Sequence, residues 1–336
     1  MSLLKHLQNI RLLPINIEIG LIIKELKDKL HQKHMFRFLI IFFLIFSFAT
    51  NAQSAFDNFF KPSDTLNIQR RNAVIISETV LSSAAIIGLS QLWYKDYPKS
   101  DFHFINDNNE WLQMDKIGHF YSAYHLGYAS KNALKWSGLS HKNQLIYGAT
   151  FGFAFLSAVE ILDGYSAAWG ASSGDIVANA SGTALLISQE LLWKEQRIVP
   201  KFSFHTTKYP SMRPNVLGKT LNEQILKDYN GQTYWLSVNI HSFFKESKIP
   251  GWLNIAFGYG ADGMISGNDD YLAQNGTFFE SRSRKFHLSL DADLTKIRTK
   301  SHFLKTIFSI FNTIKIPAPS VEFAAGRVVN FRCLYF

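Results

Sequence analysis

Residues 286–294 read Phe-His-Leu-Ser-Leu-Asp-Ala-Asp-Leu, an unbroken alternation that sets Phe286, Leu288, Leu290, Ala292 and Leu294 against His287, Ser289, Asp291 and Asp293. A period of two sustained over that length predicts a β-strand with one apolar and one polar face. Moving outward, Tyr234–Phe243 and Trp252–Tyr259 show the same pattern more briefly, and Val328–Phe336 is a fourth candidate. Four strands fall short of the roughly eight that close a transmembrane barrel, so a small antiparallel meander packed on helices is expected. Gly258-Tyr259-Gly260-Ala261-Asp262-Gly263 has the spacing of a nucleotide loop, but no helix opens after it, so it reads as a turn. Between the last two strands, Ser301–Ile316 lines up Phe303, Leu304, Ile307, Phe308, Phe311 and Ile314 in one stripe flanked by Lys300, Lys305 and Lys315. That is an amphipathic helix; covering the sheet is its simplest use, while the lysine flanks also suit a membrane interface.

Upstream of Pro200 the period changes to that of helices. Four segments are expected there. Ala73–Trp93 carries Glu78 as its one charge and is long and apolar enough to cross a membrane. Asp115–Trp136 is more polar, with a Tyr121, Tyr124, Tyr128 stripe; Asn143–Leu162 is apolar; Gly174–Trp193 is apolar but interrupted by Asp175, Asn179 and Glu190. Small residues recur four apart at Ala123/Gly127, Gly148/Gly152 and Gly174/Ala178/Gly182, a spacing that lets helix backbones approach closely.

Further upstream, Phe38–Ala49 is an uncharged apolar run preceded by Arg37 and followed by Thr50-Asn51-Ala52-Gln53. This is the pattern of a secretory signal cleaved after Ala52, and the run is short for a membrane span. Met35 sits where such a signal begins, so residues 1–34 read as an over-extended start. Whether the signal is cleaved or kept as an uncleaved anchor, the chain is expected to enter the cell envelope and face the periplasm.

The chain has 336 residues, 18% of them charged and 47% hydrophobic, with 29 Phe. That excludes disorder and fibrous repeats. The formal charge of +9 does not mark a nucleic-acid binder. Residues 1–37 concentrate seven Lys/Arg against three acidic residues, and no basic-aromatic stripe follows. The single Cys, Cys333, excludes a disulfide framework and a cysteine metal site, and it cannot serve as a lipidated N-terminal Cys.

The informative polar residues fall at helix ends. Asp115-Lys116-Ile117-Gly118-His119 opens the second helix and puts Asp115 and His119 on one face. Glu160-Ile161-Leu162-Asp163-Gly164 closes the third, and Ser172-Ser173-Gly174-Asp175 opens the fourth, with Asn179 one turn on. In an up-and-down arrangement these three ends share one pole. His119, Asp115 and Asp175 are the candidate catalytic groups there; Lys116, Asn179 and Ser172 are candidates to bind substrate. Glu160, Asp163, His119 and Asp175 are candidate metal ligands, because an imidazole among carboxylates suits a divalent metal or a general base. No cofactor is dictated, and a divalent metal is the one these residue types accept. The alternative is a structural network in which Ser172 and Asp175 form a capping box, Asp163-Gly164 stops a helix and Lys116 pairs with Glu160 or Asp163.

Asp115-Lys116-x-x-His119-Phe120, Glu160-x-x-Asp163-Gly164 and Gly170-x-Ser172-x-Gly174-Asp175-x-x-Ala178-Asn179-x-x-Gly182 together resemble the YfiM-like family of predicted periplasmic or envelope proteins. More distantly they are similar to VanZ-like membrane proteins. The resemblance spans roughly residues 73–195 and implies an envelope location with no assigned activity. Ala167, Ala168 and Trp169 stand where VanZ-like proteins carry an Arg, and no Cys lies near residue 52 for lipidation.

The expected fold is α+β. Residues 1–52 form the extension and signal, 53–72 a lead-in, 73–200 a four-helix membrane-associated bundle, and 201–336 the small antiparallel sheet with its amphipathic helix. The expected partners are membrane lipid and an envelope protein, with no nucleic acid. Basic residues at Arg70-Arg71, Lys131, Lys135, Lys142, Lys194, Arg197 and Lys201 fall on one side of a four-pass arrangement, which puts the motif pole in the periplasm. A cleaved signal inverts that placement, so not all four helices are expected to span. The leading functional expectation is an envelope protein of unassigned activity; the alternative is a metal-assisted hydrolase or transferase acting on a lipid or envelope phosphoester.

Overall fold

The computed structural model describes residues 53–95, 97–268, 281–324 and 329–335. The signal and the residues before it lie outside these. The chain divides into two compact units, Met1–Phe59 and Phe60–Phe336, and the helices that begin after residue 60 fall in the same unit as the sheet. The architecture is mixed, helices followed by an antiparallel sheet.

Among the described residues the helices of seven residues or more are α1 (Gln53–Phe60), α2 (Ile68–Leu89), α3 (Met114–Trp136), α4 (Phe151–Gly164, preceded by a wide turn over 144–149), α5 (Ser173–Leu192), α6 (Leu221–Lys227) and α7 (His302–Phe311). α3 is central, packing along α4, α5 and the 144–149 turn. The small-residue spacing explains how closely. A methyl group at Gly152 would lie 2.1 Å from the Ala123 carbonyl oxygen, and one at Gly182 would lie 2.1 Å from that of Phe120. α2 packs against α3 yet buries only Val74. Both α2 and residues 141–164 are long and apolar enough to cross a membrane. Residues 141–164 are the more buried of the two, 33% of their most apolar stretch against 6% for α2.

The sheet has six strands in sequence order: β3 (Ile198–Phe204), β4 (Gln232–Asn239), β5 (Leu253–Asp262), β6 (Ser283–Ala292), β7 (Ala318–Ala324) and β8 (Asn330–Tyr335), all antiparallel. A two-residue parallel pair, β1 (Phe104–Ile105) with β2 (Ala171–Ser172), ties the loop before α3 to the start of α5.

Several expectations are corrected here. Among the described residues the antiparallel sheet has six strands rather than four: β3 and β7 were hidden by Pro200 and Pro319, residues that usually exclude a ladder position but are tolerated at edges and irregularities. Residues 240–243 are a helical turn, not strand, because the Asn239 side chain accepts from the Ser242 amide and starts it. Gly258 and Gly260 lie within β5 rather than in a turn; a methyl at Gly258 would meet the Trp235 ring at 2.7 Å. α7 ends at Phe311, and residues 313–315 run beside β3 instead, with Phe202 N–H donating to Thr313 O and Lys315 N–H to Phe202 O. Lys315 therefore does not flank the helix but is wholly buried under the sheet.

The two faces of the sheet carry unusual polarity. Lys201, Trp235, Ser237, Asn254, His287 and Asp291 point inward and are buried, while Leu236, Phe257, Phe286, Leu288 and Leu290 on the opposite face are exposed. The inward groups satisfy one another. Lys201 Nζ lies 2.7 Å from Asp291, and Ser237 Oγ donates to the same carboxylate at 2.6 Å. Lys315 Nζ donates to the Leu290 and Ile316 carbonyls at 2.7 and 2.6 Å. The sheet thus holds an ionic network where a water-soluble sandwich holds its apolar core.

Candidate functional site

The three helix ends do meet at one pole. α3 enters it through a strained turn in which Trp111, Leu112 and Gln113 all have positive φ, at 47°, 51° and 65°. Non-glycine residues in that region cost about 1–3 kcal/mol each and persist only where the surroundings hold them. Here Trp111 N–H donates to Gly267 O at 2.7 Å, Tyr259 O–H to Leu112 O at 2.5 Å, and Arg284 to the Gln113 side chain at 2.7 Å. The next turn presents Asp115, Lys116 and His119.

Ser172 caps α5, its hydroxyl oxygen accepting from the Asp175 amide at 3.2 Å while its own amide donates to Glu160 at 3.0 Å. This capping places Asp175 against α3. One oxygen from each of Asp115 and Asp175 and one ring nitrogen of His119 lie within 4.8 Å of one another, the spacing of a set that can share a cation. His119 Nδ1 donates to the Asn179 side-chain oxygen at 3.1 Å, so in the neutral ring Nε2 keeps its lone pair. That nitrogen faces Asp115 at 3.9 Å and Glu160 at 3.7 Å.

Lys116 pairs neither with Glu160 nor with Asp163, contrary to the structural alternative. Its ammonium lies 2.6 Å from Asp107, 3.2 Å from Asp115 and 2.9 Å from Asp175. Asp163 is set apart from the trio, accepting from Tyr94 O–H at 2.6 Å. Two groups at the pole escaped the sequence reading. Asp107 anchors both Lys116 and, at 2.6 Å, the Ser172 hydroxyl; Tyr229 O–H donates to Asp115 at 2.7 Å. Asp107 sits in a loop without periodicity, and Tyr229 comes from beyond the helices, so neither carried a local signal.

Four carboxylates, Asp107, Asp115, Glu160 and Asp175, face one ammonium and one imidazole, with Asp163 further off on Tyr94. Burial raises Asp175 to about 6, Asp163 to about 6 and Glu160 to about 7. Burial also opposes charge on Asp115 and His119, but their mutual attraction wins, holding Asp115 below the usual carboxylate range and His119 above the usual imidazole range. The raised carboxylates bind more protons folded than unfolded, so they lose stability as pH rises from about 4 to about 7; protonated His119 contributes stability that fades in the same direction. Buried His125, pushed down to about 4, works in the opposite direction over the same range, so the pole's share is read by comparison: with divalent cations chelated, the change in melting temperature from pH 5 to pH 8, measured by circular dichroism, is expected to be more favourable in Glu160→Gln than in the wild type. An identical change in both would contradict the picture of crowded carboxylates.

Comparison with characterised proteins and with solved structures returned no match. A family model does match, and it supports an envelope protein of unknown function. Over residues 101–189, which contain Asp107, Asp115, Lys116, His119, Glu160, Asp163, Ser172, Asp175 and Asn179, the chain is similar to the family described as predicted periplasmic lipoprotein (DUF2279).

Proposed function

We propose that this is a membrane-associated envelope protein, exported by its N-terminal signal, whose helix pole faces the periplasm and takes up a divalent cation between Asp115, His119 and Asp175. The observation that carries the reading is the convergence of those three ligand atoms within 4.8 Å, in a pole where carboxylates outnumber cationic groups. Mixed imidazole and carboxylate donors suit zinc or manganese better than a soft metal. Asn179 would orient His119, and Tyr229 would orient Asp115, as outer partners commonly do. We read α2 as the membrane anchor, supported by its length, its apolar composition and its exposed Ile75, Ile76, Val80 and Leu81. Residues 73–200 and 201–336 are proposed as the two functional modules, and the membrane lipid and an envelope protein as the partners.

The second reading is a metal-assisted hydrolase or transferase acting on a lipid or envelope phosphoester. It is favoured by Lys116, whose ammonium lies beside two of the three ligands and could neutralise a phosphoryl group. A cation there would supply Lewis-acid polarisation and a more acidic bound water. His119 and Asp175 would act as ligands or base, with Glu160 and Asp163 supporting them and Ser172 binding substrate.

Elemental analysis of the detergent-extracted protein beside its His119→Ala variant tests the site. Stoichiometric metal in the wild type that disappears in a folded variant supports it. Equal metal in both, or none in either after incubation with zinc and manganese, overturns it.

A further inference from the structure

We propose that the outer face of the six-stranded sheet is seated against the acyl chains of a lipid bilayer. The register lines the outward residues into cross-strand rows. One row runs Leu236, Phe257, Leu288, Val321, Phe331; a second runs Val238, Ile255, Leu290; a third runs Tyr234, Tyr259, Phe286, Phe323. α3 covers the β3 and Tyr234 end of this face through Tyr121, which packs its ring on Phe202 and Tyr234. Leu112 packs on the Tyr259 end; elsewhere, among the described residues, the face is open: Phe257 is 56% and Phe331 67% exposed, whereas the inward Lys201 and Lys315 are at 0%.

Water is the wrong solvent for that arrangement. A sheet folding in water turns its apolar face to the core, and this one encloses Lys201, Asp291 and Lys315 instead. A polar interior with an apolar exterior is the order expected of strands in hydrocarbon. A protein partner fits less well: the one charged side chain of β6 on this face, Arg284, stands at its tyrosine end, where it donates to Tyr259 Oη, and the rows beyond carry no hydrogen-bonding side chain, while protein interfaces carry about one hydrogen bond per 100–200 Å². The two longest strands, β5 and β6, have ten residues each, within the roughly 9–11 that a tilted strand needs to cross the hydrocarbon, while β3, β4, β7 and β8, with 7, 8, 7 and 6, suit a face that lies on the membrane. Aromatic residues stand at both ends of the band, Tyr259 and Phe286 at one and Phe244 and Trp252 at the other, where interfacial girdles lie.

One consequence joins the two halves of the chain. Tyr259 O–H donates to Leu112 O, three residues before Asp115, so the pole stands beside the aromatic row at the level of lipid headgroups. The inference rests on the envelope reading only for the presence of a membrane and needs no cation at the pole.

The wild-type chain, reconstituted in phosphatidylethanolamine and phosphatidylglycerol vesicles containing a phospholipid with a diazirine on its acyl chain, provides the test. After irradiation, mass spectrometry should place adducts on peptides covering 253–262 and 283–292. Adducts confined to 68–89 would overturn the proposal while leaving α2 as an anchor. A second arm uses a fluorophore attached through Leu288→Cys in a Cys333→Ser background, with Asn215→Cys as the aqueous reference. Doxyl-labelled lipid should quench the Leu288 probe several-fold more than the Asn215 probe, and iodide the reverse; stronger quenching by labels deep in the chain indicates crossing, by shallow labels a face lying on the membrane. A Leu288 probe shielded from both quenchers would mean that a second protein or copy covers the face, and would overturn the assignment to lipid. Cation binding measured on the same vesicles keeps failure here distinct from failure of the metal site.

Discussion

Replacing Asp291 by Ala is expected to destabilise the protein by about 3–5 kcal/mol, the usual cost of removing one partner from a buried ion pair. Asp291 receives Lys201 Nζ at 2.7 Å and Ser237 Oγ at 2.6 Å on one side, and the Ile316 amide at 3.1 Å on the other. Lys315 lies 3.9 Å away, and both lysines are fully buried. Without the carboxylate, two ammonium groups keep their carbonyl acceptors but lose their counter-charge. Asp291→Asn retains much of the hydrogen bonding and should cost less, so the difference between the two variants reports the charge. Urea unfolding of detergent-extracted protein checks this; a loss below about 1 kcal/mol for Asp291→Ala would mean that water reaches the inside of the sheet and screens the lysines.

Asp175→Asn should behave in the opposite way. Its carboxyl is already raised to about 6 by burial and by the neighbouring Asp115 charge, so neutralising it relieves repulsion in the cation-free protein. Stability without metal is therefore expected to hold or rise, while affinity for zinc or manganese falls at least about 100-fold, the upper end of what even an outer-shell partner contributes. Calorimetric titration together with thermal melting separates the two effects. A structural network predicts the reverse pattern, because the variant weakens the contact to Lys116 and no metal affinity exists to lose. Melting that drops sharply with no metal response would favour that network.

How much of this was legible in the sequence depends on how local each signal is. The helix ends carrying Asp115, His119, Glu160 and Asp175 were readable because connectivity alone brings alternate ends of antiparallel helices together, and Ser172 marks a cap by residue type. The alternation over 286–294 identified its strand, shifted by a few residues because Asp293 instead bonds the Thr295 amide and ends it. β3 and β7 were concealed by proline, and the reach of α7 was overdrawn because Lys315 fits an amphipathic stripe as well as it fits a buried ion network. Asp107 could be placed on the acidic side of the helices but not singled out as a partner of Lys116, and Tyr229 could not be placed at all, since both arrive through loops whose path depends on the finished fold. Alternation showed that the two faces of the strand differ in polarity, but which of them faces inward is a property of the whole sheet.

The pole as a cation site is the central claim, and the most direct measurement of it is pulsed electron paramagnetic resonance on the protein loaded with one equivalent of manganese. The account predicts a nitrogen coupling from a single imidazole, present in the wild type and absent from the folded His119→Gln variant, because Nε2 of His119 is the ligand nitrogen that the geometry supplies. A manganese signal with no nitrogen coupling, or a coupling that survives in that variant, would contradict it.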